Sequence, residues 1–169
     1  MKIAIVPVSY DPITLGHLDV VERASKIFDQ VIVAVMINDQ KQYRFTMEQK
    51  TELAQVSCAH IPNVRVVADK GLLVDLVASV GACAIIKGLR SQKDFCYEQP
   101  MAYWNREHNP DAETLYLPCD KKYKRVSSTA VRRRLEEGKD LCGLLSPAAI
   151  ELLCQWGIAC PKKKETSKF

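Results

Sequence analysis

Residues 3–37 read IAIVPVSYDPITLGHLDVVERASKIFDQVIVAVMI, and this stretch decides the fold. Ile3 to Val6 is a short β-branched run that stops at Pro7. Val31 to Ile37 is a longer run, apolar on both faces as a central parallel strand should be. Between them, Leu18, Val21, Ala24, Ile27 and Phe28 share one stripe of a helix from about Gly16 to Phe28. Strand, helix and strand at this spacing form a βαβ unit, whose crossover is right-handed.

The same alternation continues outward. Thr46 precedes Met47, Glu48 and Gln49, a capping box that opens a helix running to about Ala59. Strands follow at Val64 to Val67, Ala84 to Ile86 and Thr114 to Leu117, separated by helices at Val74 to Val80 and Lys93 to His108. Ser127 or Ser128 caps a helix to Glu137, and Ser146-Pro147 starts a last one to about Trp156. This order predicts an α/β fold, a five-stranded parallel sheet with helices on both faces. Residues 1–160 form one domain, and 161–169 (PKKKETSKF) form a basic, solvated tail without apolar periodicity.

Of 169 residues, 47% are hydrophobic and 26% charged, which excludes a disordered chain. No apolar run approaches the roughly 20 residues of a membrane span, and the N-terminus lacks a small-residue cleavage site. The seven cysteines are odd in number and never spaced C-x-x-C, so reduced thiols and a cytoplasmic location are expected, with no protein-held metal. The tail's four lysines less Glu165 carry +3 of the net charge of +4. The body is therefore near neutral and is not expected to bind nucleic acid or membrane.

In a parallel sheet every strand's carboxyl end lies on one edge, and ligands bind there. The segments to inspect are Pro7 to His17, Asn38 to Phe45, Ala68 to Leu73, Lys87 to Arg90 and Pro118 to Thr129. Thr14, Gly16 and His17 sit at a helix entrance, where free N–H groups and the helix dipole suit phosphate. Lys41, Lys87 and Arg90 add cations, and Lys121 to Arg125 followed by Ser127, Ser128 and Thr129 make a second cradle. Each feature has a bland reading as a cap or a solvated lysine; their convergence on one edge points to phosphoryl or nucleotidyl transfer. No nucleophile–base pair, P-loop or G-x-G-x-x-G is present.

T-x-G-H at Thr14 to His17 and [IV]-S-S-T-x-x-R at Val126 to Arg132 resemble the signature of nucleotidyltransferases with a Rossmann-like fold. S-[FY]-D-P-[IM]-T-x-G-H (Ser9 to His17), F-T-x-E (Phe45 to Glu48), [RK]-G-L-R (Lys87 to Arg90) and D-[FY]-x-Y-E (Asp94 to Glu98) are similar to the bacterial phosphopantetheine adenylyltransferase family. The similarity runs from Lys2 to about Cys154. It implies adenylyl transfer from ATP to 4′-phosphopantetheine, giving dephospho-coenzyme A and pyrophosphate, with Mg²⁺ bound mainly through ATP. It implies catalytic roles for His17, Lys41 and Arg90, and acceptor contacts from Ser9, Lys41, Leu73 and Lys87. ATP would meet Ser9, Tyr10, His17, Gly88, Leu89, Arg90, Glu98, Tyr123, Lys124, Arg125, Val126, Ser127, Ser128 and Thr129. A homohexamer, a dimer of trimers, is also implied.

Two residues depart from the family pattern. Val8 stands where the family has glycine, and Lys87 where it has arginine, replacing a bidentate fork by a point charge. Both bear on the acceptor, leaving open a transferase for another phosphorylated acceptor or a non-catalytic nucleotide-binding homologue.

Overall fold

A computed structural model describes residues 1–37 and 42–159. Five parallel strands form one sheet in the order β3-β2-β1-β4-β5: β1 Ile3–Val8, β2 Gln30–Met36, β3 Val64–Asp69, β4 Ala84–Leu89 and β5 Glu113–Pro118. The helices are α1 Leu15–Ser25, α2 Met47–Cys58, α3 Leu73–Val80, α4 Gln92–His108, α5 Ser128–Glu136 and α6 Pro147–Gln155. The unbroken apolar run of β2 is explained by two cores. Val31, Val33 and Val35 face one with Leu53 and Leu153, and Ile32 and Ala34 face the other with Ile85 and Val77. The expected Rossmann-like sheet is what the chain adopts.

Several element ends differ from the sequence reading, and each difference bears on the site. β1 continues through Pro7 to Val8. It pairs with β2 along its length but with β4 only at Ala4 and Ile5, so the N–H that proline lacks falls beyond the β1–β4 ladder. β4 runs on to Leu89, held by β5 through Leu89↔Pro118, so Lys87 to Leu89 lie in the strand and not after it. β1 and β4 therefore part at their carboxyl ends, where the strand order reverses. That gap is the crevice.

The first helix ends at Ser25, short of Phe28, because the Ile27 and Phe28 N–H groups both turn back onto the Ala24 carbonyl. Ile27 is 65% exposed, and Val20 takes the place given to it in the stripe. The capping box at Thr46 forms as read, Gln49 closing it. A 3₁₀ turn at Lys121–Tyr123, capped by Asp120, was not foreseen. Cys58, Cys83, Cys96, Cys119 and Cys142 are free thiols. No helix among the described residues is long and apolar enough to cross a membrane. Lys41 and residues 160–169 lie outside the described residues.

Candidate active site

The turn after β1 builds one wall of the crevice. Tyr10 takes a left-handed φ of 46° and turns its ring into the core, where its hydroxyl donates to the Val6 carbonyl at 2.9 Å. The ring meets the His17 imidazole edge-on at 5.2 Å. Thr14 caps α1 and shares a reciprocal box with His17: the His17 N–H donates to Thr14 Oγ1, and the Thr14 N–H donates to His17 Nδ1 at 3.1 Å. An Nδ1 that accepts from a backbone amide carries no proton, so in the neutral ring the donor is Nε2–H. Burial first, and the Arg90 charge second, lower the His17 pKa from 6.5 to about 4. At neutral pH this histidine is an uncharged, oriented hydrogen-bond donor.

The opposite wall comes from β4 and α4. Lys87 Nζ lies 3.0 Å from Glu98 Oε2, and both line the crevice. Gly88 leaves room for α1, since a Cβ there would stand 2.8 Å from Val20 Cγ2. Arg90 follows the strand, its N–H bonded to Asp94 Oδ2 at 2.9 Å and its Nε 3.4 Å from the same atom. The Arg90 side chain is 45% exposed and lines the crevice.

Asp11, carried in the S-[FY]-D-P motif without an assigned role, ties the third wall together. Its buried carboxylate accepts from the Phe45 N–H at 3.0 Å and the Arg44 N–H at 3.1 Å. Arg132 of α5 donates to the Asp11 carbonyl at 2.6 Å and approaches its carboxylate at 3.3 Å. Ser128 Oγ donates to the Pro12 carbonyl at 2.8 Å. Three segments remote in sequence are thus sewn together, with the N-terminus of α5 aimed at the crevice and Ser127 Oγ capping α5 by accepting from the Ala130 N–H.

These walls enclose a cleft of about 730 Å³ and a side hollow of about 420 Å³. Ser9, His17 and Arg90 line both, which places them at the junction. Leu73, Lys87, Gly88, Glu98 and Val126 line the cleft. Ser127, Ser128 and Thr129 line the hollow. Five residues assigned to the nucleotide from sequence do not line either space. Tyr10 is fully buried, its ring against His17. The Leu89 carbonyl is taken by the Cys119 N–H, Tyr123 packs behind Gly16, and Lys124 and Arg125 are exposed. Conversely, Met36, Tyr97 and Met101 line the cleft and were missed. The i, i+4 spacing of Tyr97 and Met101 was the available signal.

Comparison with known proteins matches residues 5–134 to the cytidylyltransferase-like family. A phosphopantetheine adenylyltransferase of Syntrophomonas wolfei is 43% identical over 89% of this chain and 93% of its own length. The chain belongs to the phosphopantetheine adenylyltransferase family. Further members, from Heliobacterium modesticaldum and Clostridium botulinum, are 42% and 41% identical over 92% and 86% of the chain. A solved structure described as a putative nicotinate-nucleotide adenylyltransferase from Vibrio parahaemolyticus superposes with a TM-score of 0.73 over 94% of this chain and 95% of its own. At 23% identity it speaks for the fold of the family alone.

Proposed function

We propose that this chain transfers the adenylyl group of ATP to 4′-phosphopantetheine, giving dephospho-coenzyme A and pyrophosphate. The observation that carries the reading is the locked, neutral His17 at the junction of cleft and hollow. An acceptor phosphate oxygen attacks the α-phosphorus, its bond to the bridging oxygen breaks, and pyrophosphate leaves with the electron pair. Negative charge crowds the five-coordinate phosphorus, and a hydrogen bond from Nε2–H strengthens as that charge develops. Arg90 neutralises the phosphates from the same junction, and Lys41 is assigned to them with it. Ser9 and the N-terminus of α5, with Ser127 to Thr129, hold the nucleotide phosphates. Lys87 and Leu73 face the acceptor.

Among the described residues no three His, Cys, Asp or Glu side chains cluster as a metal site, and Asp11 spends its carboxylate on Phe45, Arg44 and Arg132. We assign Mg²⁺ to the ATP phosphates, where it would neutralise the leaving pyrophosphate. We assign the protein to the cytoplasm and to a homohexamer; the exposed Tyr103 and Trp104 of α4 and Leu115 of β5 support burial in an assembly.

The test is pyrophosphate release from ATP with 4′-phosphopantetheine, nicotinate mononucleotide and simple alcohol phosphates as acceptors. Release that depends on 4′-phosphopantetheine is expected. Release with another acceptor only, or with none, overturns the proposal.

A further inference from the structure

Behind the acceptor side of the cleft, three polar groups from three elements converge. Lys87 of β4 and Tyr116 of β5 are register partners on adjacent strands, so their side chains leave the same face of the sheet. From α4, Phe95 meets the Tyr116 ring edge-on at 5.3 Å, and Glu98, one turn along, reaches Lys87. The pair is mostly sheltered, the Lys87 and Glu98 side chains being 16% and 20% exposed. Yet two atoms in this cluster are buried without a hydrogen bond: Glu98 Oε2 and the Tyr116 hydroxyl. The ammonium sits at ion-pair distance from Oε2 without hydrogen-bond alignment, and the phenol beside it has no acceptor. Oε2 keeps the Lys87 ammonium at 3.0 Å, whereas the Tyr116 hydroxyl has no partner; leaving a buried hydroxyl unpaired is costly, so the arrangement calls for a second state in which it is used.

We propose that Tyr116 is a positioning residue that exchanges partners with Lys87: when the acceptor phosphate draws the Lys87 ammonium from Glu98, the Tyr116 hydroxyl donates to the Glu98 carboxylate in its place. The inference rests on the reading that the acceptor phosphate lies beside Lys87. Lysine suits such a transfer, because its ammonium is a compact charge on a flexible stem. Without a replacement donor, moving it would strand a sheltered carboxylate beside a phosphate of like charge. Tyr116 can supply a proton donor but not a proton: burial, then Glu98 and then Tyr103 raise its phenol above the ordinary value. The Tyr116 ring itself does not line the cleft, so the hydroxyl acts through Glu98 and not on the substrate.

Steady-state kinetics of the full chain test the exchange. Tyr116→Phe keeps the ring contact with Phe95 and removes only the hydroxyl. Its acceptor KM should rise about tenfold, equivalent to ~1.4 kcal/mol, while kcat and the ATP KM stay at their wild-type values. Glu98→Gln removes the charge that needs the donor, so adding Tyr116→Phe to it should change the acceptor KM no further. Lys87→Arg is a second route: its fork can keep one N–H on Glu98 while another meets phosphate, so the effect of Tyr116→Phe should shrink there too. An unchanged acceptor KM, an equal rise for ATP, a loss confined to kcat, or the same tenfold rise in the Glu98→Gln background would each overturn the proposal. The wild-type acceptor panel separates the two readings. If another phosphorylated acceptor is used, the assigned substrate falls, and the same cycle on that acceptor still decides the exchange.

Discussion

A methyl group placed on Gly88 by Gly88→Ala should unseat α1 and, with it, His17. Gly88 lies in β4 with Val20 of α1 directly over it, and an added Cβ would stand 2.8 Å from Val20 Cγ2, with Val20 Cβ at 3.9 Å. Ordinary carbon contacts begin near 3.4 Å, so about 0.6 Å (3.4 − 2.8) must be found. Val20 cannot supply it by turning, because a β-branched side chain in a helix has one strongly preferred rotamer and Val20 is only 5% exposed. The helix has to shift. Overpacking of this kind costs ~1–3 kcal/mol; about 2 kcal/mol would lower the melting temperature by ~4–8 °C in a chain of this size. His17 lies one turn before Val20, so kcat should fall with stability. Val20→Ala alone leaves a small cavity and costs ~2 kcal/mol. In the double variant the methyl added at position 88 fills part of that cavity, so the two losses should fall short of additive by at least ~1 kcal/mol. Urea unfolding of the four proteins measures the coupling, and kcat is read in parallel. Losses that add within ~0.5 kcal/mol would refute the contact. A kcat that stays low while stability recovers would mean that the methyl obstructs the ligand and not the helix.

His17→Ala should leave ATP affinity nearly intact and lower turnover at least ~100-fold, measured by ATP titration beside single-turnover kinetics; near wild-type turnover with poor affinity would assign His17 to ground-state binding. Because folding depresses the His17 pKa from 6.5 to about 4, the unfolded chain binds the proton more readily between those values. Stability from this group is therefore full above pH 6.5 and lost as the pH falls through 4, by up to ~3 kcal/mol; unfolding midpoints of wild type and His17→Gln that run parallel across this window would contradict it. Asp11→Ala strips a buried acceptor from Phe45 and Arg44 and leaves Arg132 without its carboxylate, and should cost ~2–4 kcal/mol and raise the ATP KM, with Asp11→Asn recovering part of both. Burial, reinforced by Glu22, pushes the Cys58 thiol up to about 12, so in timed alkylation followed by peptide mass mapping it should react far behind the exposed Cys83, Cys96 and Cys142.

The legible part of this molecule was written in short-range pattern. β2 was readable because a strand covered on both faces must be apolar at every position, and residues 31–35 are all buried. The box at Thr46 was readable because a cap and its partner are three residues apart, within one helical turn; the box at Thr14 was not, because its partner is His17 and not the usual Glu or Gln. The same locality made His17, Arg90 and Ser127 to Thr129 visible as phosphate-binding candidates, since helix entrances and strand ends are local features; Ser9 came from the family resemblance.

What the tertiary structure decided has no local trace. The family resemblance gave Tyr10 to ATP; the positive φ at Tyr10, which no sequence pattern announces, turns its ring into the core against His17. Asp11 and Arg132 are 121 positions apart, and nothing near either one announces the other. β4 was read three residues short because lysine and glycine at 87 and 88 are poor strand formers; pairing with β5 and the press of Val20 override that preference. Lys87 looked like a free cation for the acceptor. Only the packing of α4 against β4 and β5 sets Glu98 on its ammonium and Tyr116 behind them both, because electrostatic partners are chosen by distance in space and not by spacing along the chain.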